Sequence, residues 1–339
     1  MIALGIETSC DETAVGLVDG GRTIVGHSLV SSVAFHRQYG GVVPEIACRH
    51  HVELITYCVE DALRQAGLRL HEVGLVAVTY GPGLAGALLV GLAAAKSLSF
   101  GLQVPLGGVN HLQAHLYAAM LGARRWPTRA VGLVISGGHT ALVQLDGLTS
   151  YRLMGQTRDD AVGEAFDKVA KLIGLEYPGG PAIERTAKAG DPTRVKFTRP
   201  TIKGGAGWDF SFSGIKTAVL RYVQQARDRG SWDAASAADL AASFQAAVIE
   251  ELVRKALAAC QATRARALII GGGVVANQAL RQRFTEACRA ARIRLYLPPP
   301  ALSTDNAAMV AGLGYQLYRI CGVTSPLTLT AEPNLGMRS

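Results

Sequence analysis

No Asp or Glu occurs between Val73 and Leu145, although the 339-residue chain carries 26 of them. So long a stretch without negative charge leaves an anion unopposed, which suits a site that handles phosphate or carboxylate groups. Cysteine is sparse: Cys10, Cys48, Cys58, Cys260, Cys288 and Cys321 are scattered, and no Cys-x-x-Cys pair occurs. Neither a zinc knuckle nor a disulfide framework is therefore indicated, and a reducing cytosol fits. There is no Walker A pattern, which sets aside the P-loop nucleotide enzymes. Aromatic residues make up 6% of the chain and do not interleave with its basic runs. The apolar run from Leu84 to Ala95 stops at Lys96, too short for a membrane span, and reads as a buried helix. The first residues lack the basic start of a signal peptide and carry Glu7 early. The expectation is a cytoplasmic protein with no membrane contact.

What is present is apolar bulk, glycine and positive charge. Hydrophobic residues are 49% of the chain, glycine numbers 39, and the net charge is +8. Abundant glycine with few aromatics fits an α/β protein with tight strand–helix turns. The charge favours an anionic partner, nucleic acid first, and is equally met by a basic enzyme that binds no polyanion.

The chain opens with an apolar strand (Ile2–Ile6), a polar turn, a second strand (Ala14–Val18) and an Asp19-Gly20 turn. Midway the arrangement returns as Ala130–Ile135, Ser136-Gly137-Gly138-His139-Thr140, Ala141–Leu145 and Asp146-Gly147. This predicts an internal duplication with a period near half the chain. Helical spacing over Val52–Gln65, Leu84–Phe100, Ala237–Ala259 and Asn277–Ala290 alternates with apolar strands at Val73–Thr79 and Ala267–Ile270. Such alternation predicts largely parallel sheets with covered faces, in two domains flanking a cleft. The domain reading is about 1–110 with a returning segment at about 312–330, then about 111–311 with an insertion at about 151–232.

His111 and His115 stand one helical turn apart in Asn110-His111-Leu112-Gln113-Ala114-His115, so both project from one helix face. Two neutral imidazoles there suit a divalent cation, and Asp305 offers a third ligand. Leu112 occupies the position where a zincin carries its general-base Glu, which disfavours a peptidase. Gly81-Pro82-Gly83-Leu84-Ala85-Gly86 matches a dinucleotide pattern, but no acid follows to hold a ribose, so it reads as a tight structural turn. The glycines of Ser136–Thr140 and Gly271–Gly273 each follow a buried strand and can turn N–H groups toward an anion. Tyr177–Pro181 is a rigid loop ahead of a helix. Asp167 suits ribose hydroxyls or a pair with Lys171. Asp11 and Glu12 sit in the first turn, positioned to order water, a metal or a nucleophile, or simply solvated. Basic residues crowd two stretches, Arg194, Lys196, Arg199 and Lys203, and Arg124, Arg125 and Arg129, as phosphate contacts or as solvated faces.

Taken in order, Gly5-Ile6-Glu7-Thr8-Ser9-Cys10-Asp11-Glu12-Thr13, Gly41–Glu45, Val109–His115, Ser136–Thr140, Gly163–Lys168, Tyr177–Pro181, Asp209–Gly214 and Thr304-Asp305-Asn306 closely resemble the Kae1/TsaD family of tRNA threonylcarbamoyladenosine transferases. The resemblance implies a duplicated actin-like, sugar-kinase-like (ASKHA) two-domain α/β fold with a central cleft. It implies transfer of the threonylcarbamoyl group from threonylcarbamoyl-AMP to N6 of adenosine 37 in tRNAs reading ANN codons. It assigns His111, His115 and Asp305 to one divalent ion, Fe2+ before Zn2+. Val134, Ile135, Ser136, Gly137, Gly138, Asp167, Gly180, Glu184 and Asn277 fall to the adenylate, with Asp11 and Glu12 as catalytic candidates. The partners it implies are the tRNA anticodon loop, a TsaB paralogue that docks on the N-terminal domain, a TsaE ATPase, and a TsaC/Sua5-type synthase that supplies the donor. Gln113-Ala114 between the histidines and Glu184 depart from common family residues without touching a metal ligand. Two other classes stay open on the residues alone. A non-catalytic paralogue would lack the histidine pair, and a kinase or ATPase of the same fold would transfer phosphoryl groups without tRNA.

Overall fold

The computed structural model describes residues 1–123, 125–198 and 207–337. The chain forms two compact units, Met1–Trp126 with Pro298–Ser339, and Pro127–Leu297.

The first unit runs β1 (Ile2–Glu7), β2 (Glu12–Asp19), β3 (Thr23–Ser31), α1 (Val33–His36), α2 (Pro44–Ala66), β4 (Val73–Gly81), α3 (Ala85–Leu102), β5 (Leu106–Asn110) and α4 (His111–Ala118). After the second unit the chain returns to it as α10 (Ala307–Cys321). The sheet order is β3-β2-β1-β4-β5, with β2 antiparallel to both β1 and β3, and β4 parallel to β1 and β5. The β1 segment is apolar on both faces because both are covered. Leu4, Ile6, Val15 and Leu17 pack under α2 and α3 against Ile55, Cys58, Ala62, Leu92 and Ala95. On the other face, Ala3, Val18 and Leu75 meet Ala308 and Ala311 of α10. That contact needs small residues. A Cβ on Gly5 would lie 2.4 Å from the Ala311 nitrogen, and one on Gly16 would lie 2.7 Å from that of Ala308.

The second unit runs β6 (Ala130–Ile135), β7 (Thr140–Leu145), β8 (Tyr151–Gln156), α5 (Val162–Leu172), α6 (Gly179–Ala187), α7 (Ser213–Asp228), α8 (Ala234–Thr263), β9 (Ala267–Gly271), α9 (Gln278–Ala290) and β10 (Arg294–Tyr296). Its sheet order, β8-β7-β6-β9-β10, repeats the first unit strand for strand and sense for sense. This is the duplication the strand–loop–strand repeat predicts. Phe166 and Phe244, ring centroids 5.0 Å apart, join α5 to the long α8 in the core.

Three expectations are corrected. The unit boundaries fall at Trp126/Pro127 and Leu297/Pro298, not near 110 and 312. Both α4 and the segment leading into α10 belong to the first unit, because α4 grows directly out of β5 and α10 covers the β1–β4 face. The expected insertion at about 151 begins later, since β8 is the regular edge strand paired with β7. Within that stretch, Asp209–Gly214 is largely structural. Phe210 and Phe212 are fully buried, and Asp159 accepts hydrogen bonds from the Phe212 and Ser213 N–H groups at the start of α7. Finally, the apolar helix runs on to Leu102. Among the described residues α3 alone is long and apolar enough to cross a membrane. It buries one stripe, Ala87, Leu88, Gly91, Leu92, Ala95 and Ser99, on the sheet, while Leu89 and Phe100 face outward.

Candidate metal centre and nucleotide loops

The metal candidates lie in the first unit and are brought together by two chain turns. β5 ends at Asn110, whose Oδ1 accepts from the Leu112 and Gln113 N–H groups and so starts α4 at His111. His115 follows one turn later on the same face. At the other end of the sequence, Asn306 is the N-cap of α10, accepting from the Met309 N–H, while its Nδ2 donates to the carbonyls of Leu302 and Thr304. The helix is thus opened by Asn306, the residue after Asp305.

His111, His115 and Asp305 offer ligand atoms that all lie within 4.8 Å of one another. His115 Nε2 is 3.0 Å and His111 Nε2 3.6 Å from Asp305 Oδ1. The two rings meet edge-on with centroids 4.5 Å apart. His115 is fully buried, yet neither ring nitrogen makes a hydrogen bond to a described residue. Leaving a buried polar atom unsatisfied costs about 1–3 kcal/mol. A cation bound at Nε2 would satisfy that nitrogen, and nitrogen–nitrogen–carboxylate donors suit Fe2+ or Zn2+.

Behind the cluster lies a residue that sequence reasoning did not single out. Glu7, at the end of β1, is fully buried. It accepts from Thr79 Oγ1 at 2.7 Å and from the Ser9 N–H at 2.7 Å. It also sits 3.1 Å from His111 Nδ1, where Ser9 Oγ approaches at 3.2 Å. A carboxylate on the far nitrogen of a histidine fixes the tautomer that leaves Nε2 free for a metal. The signals available in sequence were an acid closing an otherwise apolar strand and its place in the first family-resembling segment.

Electrostatics agree with a cation site. Burial disfavours a charged His111, but the Glu7 and Asp305 carboxylates outweigh it and raise its pKa to about 9. Burial alone would raise the Glu7 carboxyl, but the charge and hydrogen bond of His111 hold it below the ordinary value. Glu12 is pushed up to about 10, first by burial and then by Asp305 and Asp11. Without an ion, His111 is therefore protonated at neutral pH, and a metal must displace that proton. Metal affinity is expected to climb roughly tenfold per pH unit as pH rises toward 9, then to level off, with about one proton released per ion. Metal titrations between about pH 6.5 and about pH 8.5 in weakly chelating buffers check this; affinity that is flat across that window rejects the assignment.

The second unit gathers the other group of sequence candidates around the ends of β6 and β9. Ser136 closes the loop after β6 on itself, its N–H donating to the His139 carbonyl at 2.8 Å. Gly137 and Gly138 are exposed, with open space where side chains would stand. Val134, paired to β7 and β9, and Ile135, paired to β7, are fully buried, so their side chains are not available to a ligand. Three helix N-termini open nearby. Gly163 at the start of α5 donates to the Ser136 carbonyl at 3.1 Å. Gly179 at the start of α6 donates to Asp167 Oδ1 at 2.7 Å. Asn277 caps α9 through the Leu280 N–H, while Glu184 Oε1 accepts from the Gln278 N–H at 2.8 Å. Gln245, absent from the sequence reading, holds the Asn277 amide at 2.7 Å. Gly272 has φ +105°, and a Cβ there would lie 2.3 Å from the Ile135 carbonyl, so only glycine lets the two loops approach. Exposed glycine N–H groups beside several helix N-termini favour a phosphate-bearing ligand. The pattern Gly81–Gly86 is structural as expected. Cβ atoms on Gly81, Gly83 and Gly86 would collide with Glu332, Ser9 and Cys48.

Of the basic residues, Arg194, Lys196, Arg125 and Arg129 are exposed, Arg129 lying 3.7 Å from Asp146. Arg124, Arg199 and Lys203 lie outside the described residues.

Comparison with known proteins follows the same line. The family model of TsaD, tRNA N6-adenosine threonylcarbamoyltransferase, matches residues 23–312. The chain is 52% identical over 336 residues to the tRNA N6-adenosine threonylcarbamoyltransferase of Symbiobacterium thermophilum, covering 99% of this chain and 97% of that one. It is 50% identical over 332 residues to the enzyme of that name from Moorella thermoacetica, covering 98% and 96%. In fold it is similar to full-length HypF in a phosphate- and nucleotide-bound form, with TM-score 0.62 at 15% identity, over 95% of this chain and 55% of that one. The duplicated sheets have the ASKHA arrangement. The chain belongs to the TsaD family of tRNA N6-adenosine threonylcarbamoyltransferases.

Proposed function

We propose that the protein transfers the threonylcarbamoyl group of threonylcarbamoyl-AMP to N6 of adenosine 37 in tRNAs that read ANN codons. The observation that carries this reading is the convergence of His111, His115 and Asp305 within 4.8 Å in a member of this family. An inactive paralogue has no use for such a cluster.

The exocyclic amine of adenine is a weak nucleophile because its lone pair is drawn into the ring. The acyl donor must arrive activated, as a mixed anhydride with phosphate. The protein then has to position two substrates and stabilise developing negative charge. His111, His115 and Asp305 would hold one divalent ion, Fe2+ first and Zn2+ second, which supplies Lewis-acid charge to phosphate or carboxylate oxygens. Glu7 keeps His111 turned for that purpose. In the second unit the Ser136–Gly138 loop, Gly180 and the capped start of α9 at Asn277 suit the adenylate, with Asp167 and Glu184 placing the adjoining helix ends. Val134 and Ile135 contribute by holding the strand end. The charge of Asp305 reaches Glu12, and Asp11 adjoins it. D11N and E12Q are expected to slow turnover about tenfold or more while leaving the melting temperature within a few degrees; wild-type rates in both would remove them from the chemistry.

The target base lies in a single-stranded loop, so exposing it costs little. Such work belongs in the cytoplasm. The TsaB paralogue, the TsaE ATPase and a TsaC/Sua5-type synthase would complete the pathway. A docking face for the paralogue on the first unit is supported by exposed Val52 and Tyr57 on α2 and exposed Leu89 and Phe100 on α3. The decisive experiment incubates the protein, these partners, threonine, bicarbonate, ATP and an unmodified transcript, followed by nucleoside mass spectrometry. Threonylcarbamoyladenosine is expected. Its absence, with steady ATP turnover that ignores tRNA, would favour the kinase reading.

A further inference from the structure

We propose that an arginine-rich edge of the second unit, formed by Arg264, Arg266, Arg289, Arg292 and Arg294, is a contact surface for the phosphate backbone of the tRNA; it rests on the reading of the chain as a tRNA-modifying enzyme. From Leu252 to Thr304 the chain carries nine Lys and Arg and a single acid, Glu286. Four of the nine are engaged inside the protein. Arg254 and Lys255 pair with Glu251, Arg283 with Glu250, and Arg281 donates to the Val275 carbonyl. The other five are exposed and make no ion pair among the described residues. The lone acid, Glu286, accepts from Gln282 at 2.9 Å.

The fold brings these five together. β10 runs parallel to β9 with Arg294 opposite Ala267, and the Arg294 N–H donates to the Arg266 carbonyl at 2.9 Å. Arg264 and Arg266 thus lead into one strand and Arg292 and Arg294 into its neighbour, on segments about 4.8 Å apart. Arg289 sits in the last turn of α9, where the Arg292 N–H reaches back to its carbonyl at 3.2 Å. The Arg294 guanidinium lies 5.0 Å from the Tyr296 ring centroid, which steadies one of the forks.

Two simpler explanations fall short. Cations do favour helix C-termini, and α8 and α9 both end here. One or two would serve that role, yet five gather, two of them at the strands. A protein partner normally requires an apolar centre inside a polar rim, and no large hydrophobic side chain is exposed between Leu252 and Thr304. An unrelieved row of guanidinium forks suits the regularly spaced phosphates of RNA. The row lies where β9 and β10 begin, the opposite end of the sheet from the Gly271–Gly273 loop. The five residues of β9 place it about 16 Å from that loop. It would therefore add affinity and orientation through the backbone without reading sequence or touching the reacting groups.

The test uses the full-length protein and a fluorescently labelled, unmodified tRNA transcript, with affinity measured by anisotropy over a salt series. R266E/R294E should lower affinity at least about tenfold near 100 mM salt. It should also flatten the log–log salt dependence by about 1.5, the share of two phosphate contacts. R266Q/R294Q should fall between this and wild type. R69E, an exposed reversal on the first unit, should bind as wild type does, and metal content should match in all variants. Unchanged affinity and slope in R266E/R294E, or equal loss in R69E, overturns the surface while leaving the transferase reading intact if wild type still modifies tRNA. A wild-type protein that neither binds nor modifies tRNA overturns both.

Discussion

Substituting His115 with Ala is expected to reduce bound metal to background and to cut threonylcarbamoyl transfer by about 10²–10⁴-fold, the equivalent of several kcal/mol of lost charge stabilisation. The expectation follows from where the ring stands. His115 is fully buried and points Nε2 at Asp305 Oδ1 from 3.0 Å. Burying so polar a ring there leaves both nitrogens without a hydrogen bond to a described residue. The variant should therefore fold, losing only what the small cavity costs. Metal analysis by mass spectrometry and melting with and without added Fe2+ or Zn2+ separate the outcomes. Wild type should gain stability with metal in proportion to the logarithm of its concentration, and H115A should not. An H115A protein that keeps one tightly held ion per chain and a normal rate would end the assignment.

Glu7→Gln carries the second large effect. The side chain keeps its shape but loses its charge, in a place where Glu7 accepts from Thr79 and Ser9 and faces His111 Nδ1 at 3.1 Å. Without the carboxylate His111 is no longer held in one tautomer, and metal affinity is expected to fall about 10–100-fold. The pH dependence should shift as well. The same carboxylate is the leading attraction raising the pKa of His111. Its removal lets the ring lose its proton at lower pH, so affinity should level off earlier as pH rises. Calorimetric metal titration at several pH values reads both effects. A variant that merely melts earlier, with metal affinity and its pH profile unmoved, would reduce Glu7 to a packing residue.

Much of this was legible in the chain because it is written locally. The recurrence of apolar strand, polar loop and apolar strand at Ile2 and at Ala130 reflects two sheets of identical order. The His111/His115 spacing needs only a helix to place both rings on one face, and Asn110 caps that helix where the pattern begins. Asn277 likewise stands at the start of α9. What was hidden depends on partners distant in sequence. That the return to the first unit begins at Pro298 and not near 312 goes with Gly5 and Gly16 leaving room for α10, which no periodicity records. Val134 and Ile135 read as part of a binding segment, yet both side chains are fully buried, on opposite faces of a covered sheet. The Asp209–Gly214 segment, which carries part of the family resemblance, seats two phenylalanines and a helix start.

By itself the sequence determined the element types, the repeat and three metal-competent side chains, since strand and helix periods and local capping act within a few residues. Tertiary structure alone decided that a buried Glu7 stands behind His111 and that five arginines with no ion pair among the described residues share one edge. Those facts rest on distances between residues up to 104 positions apart, and only the closure of sheets and the packing of helices on them sets such distances.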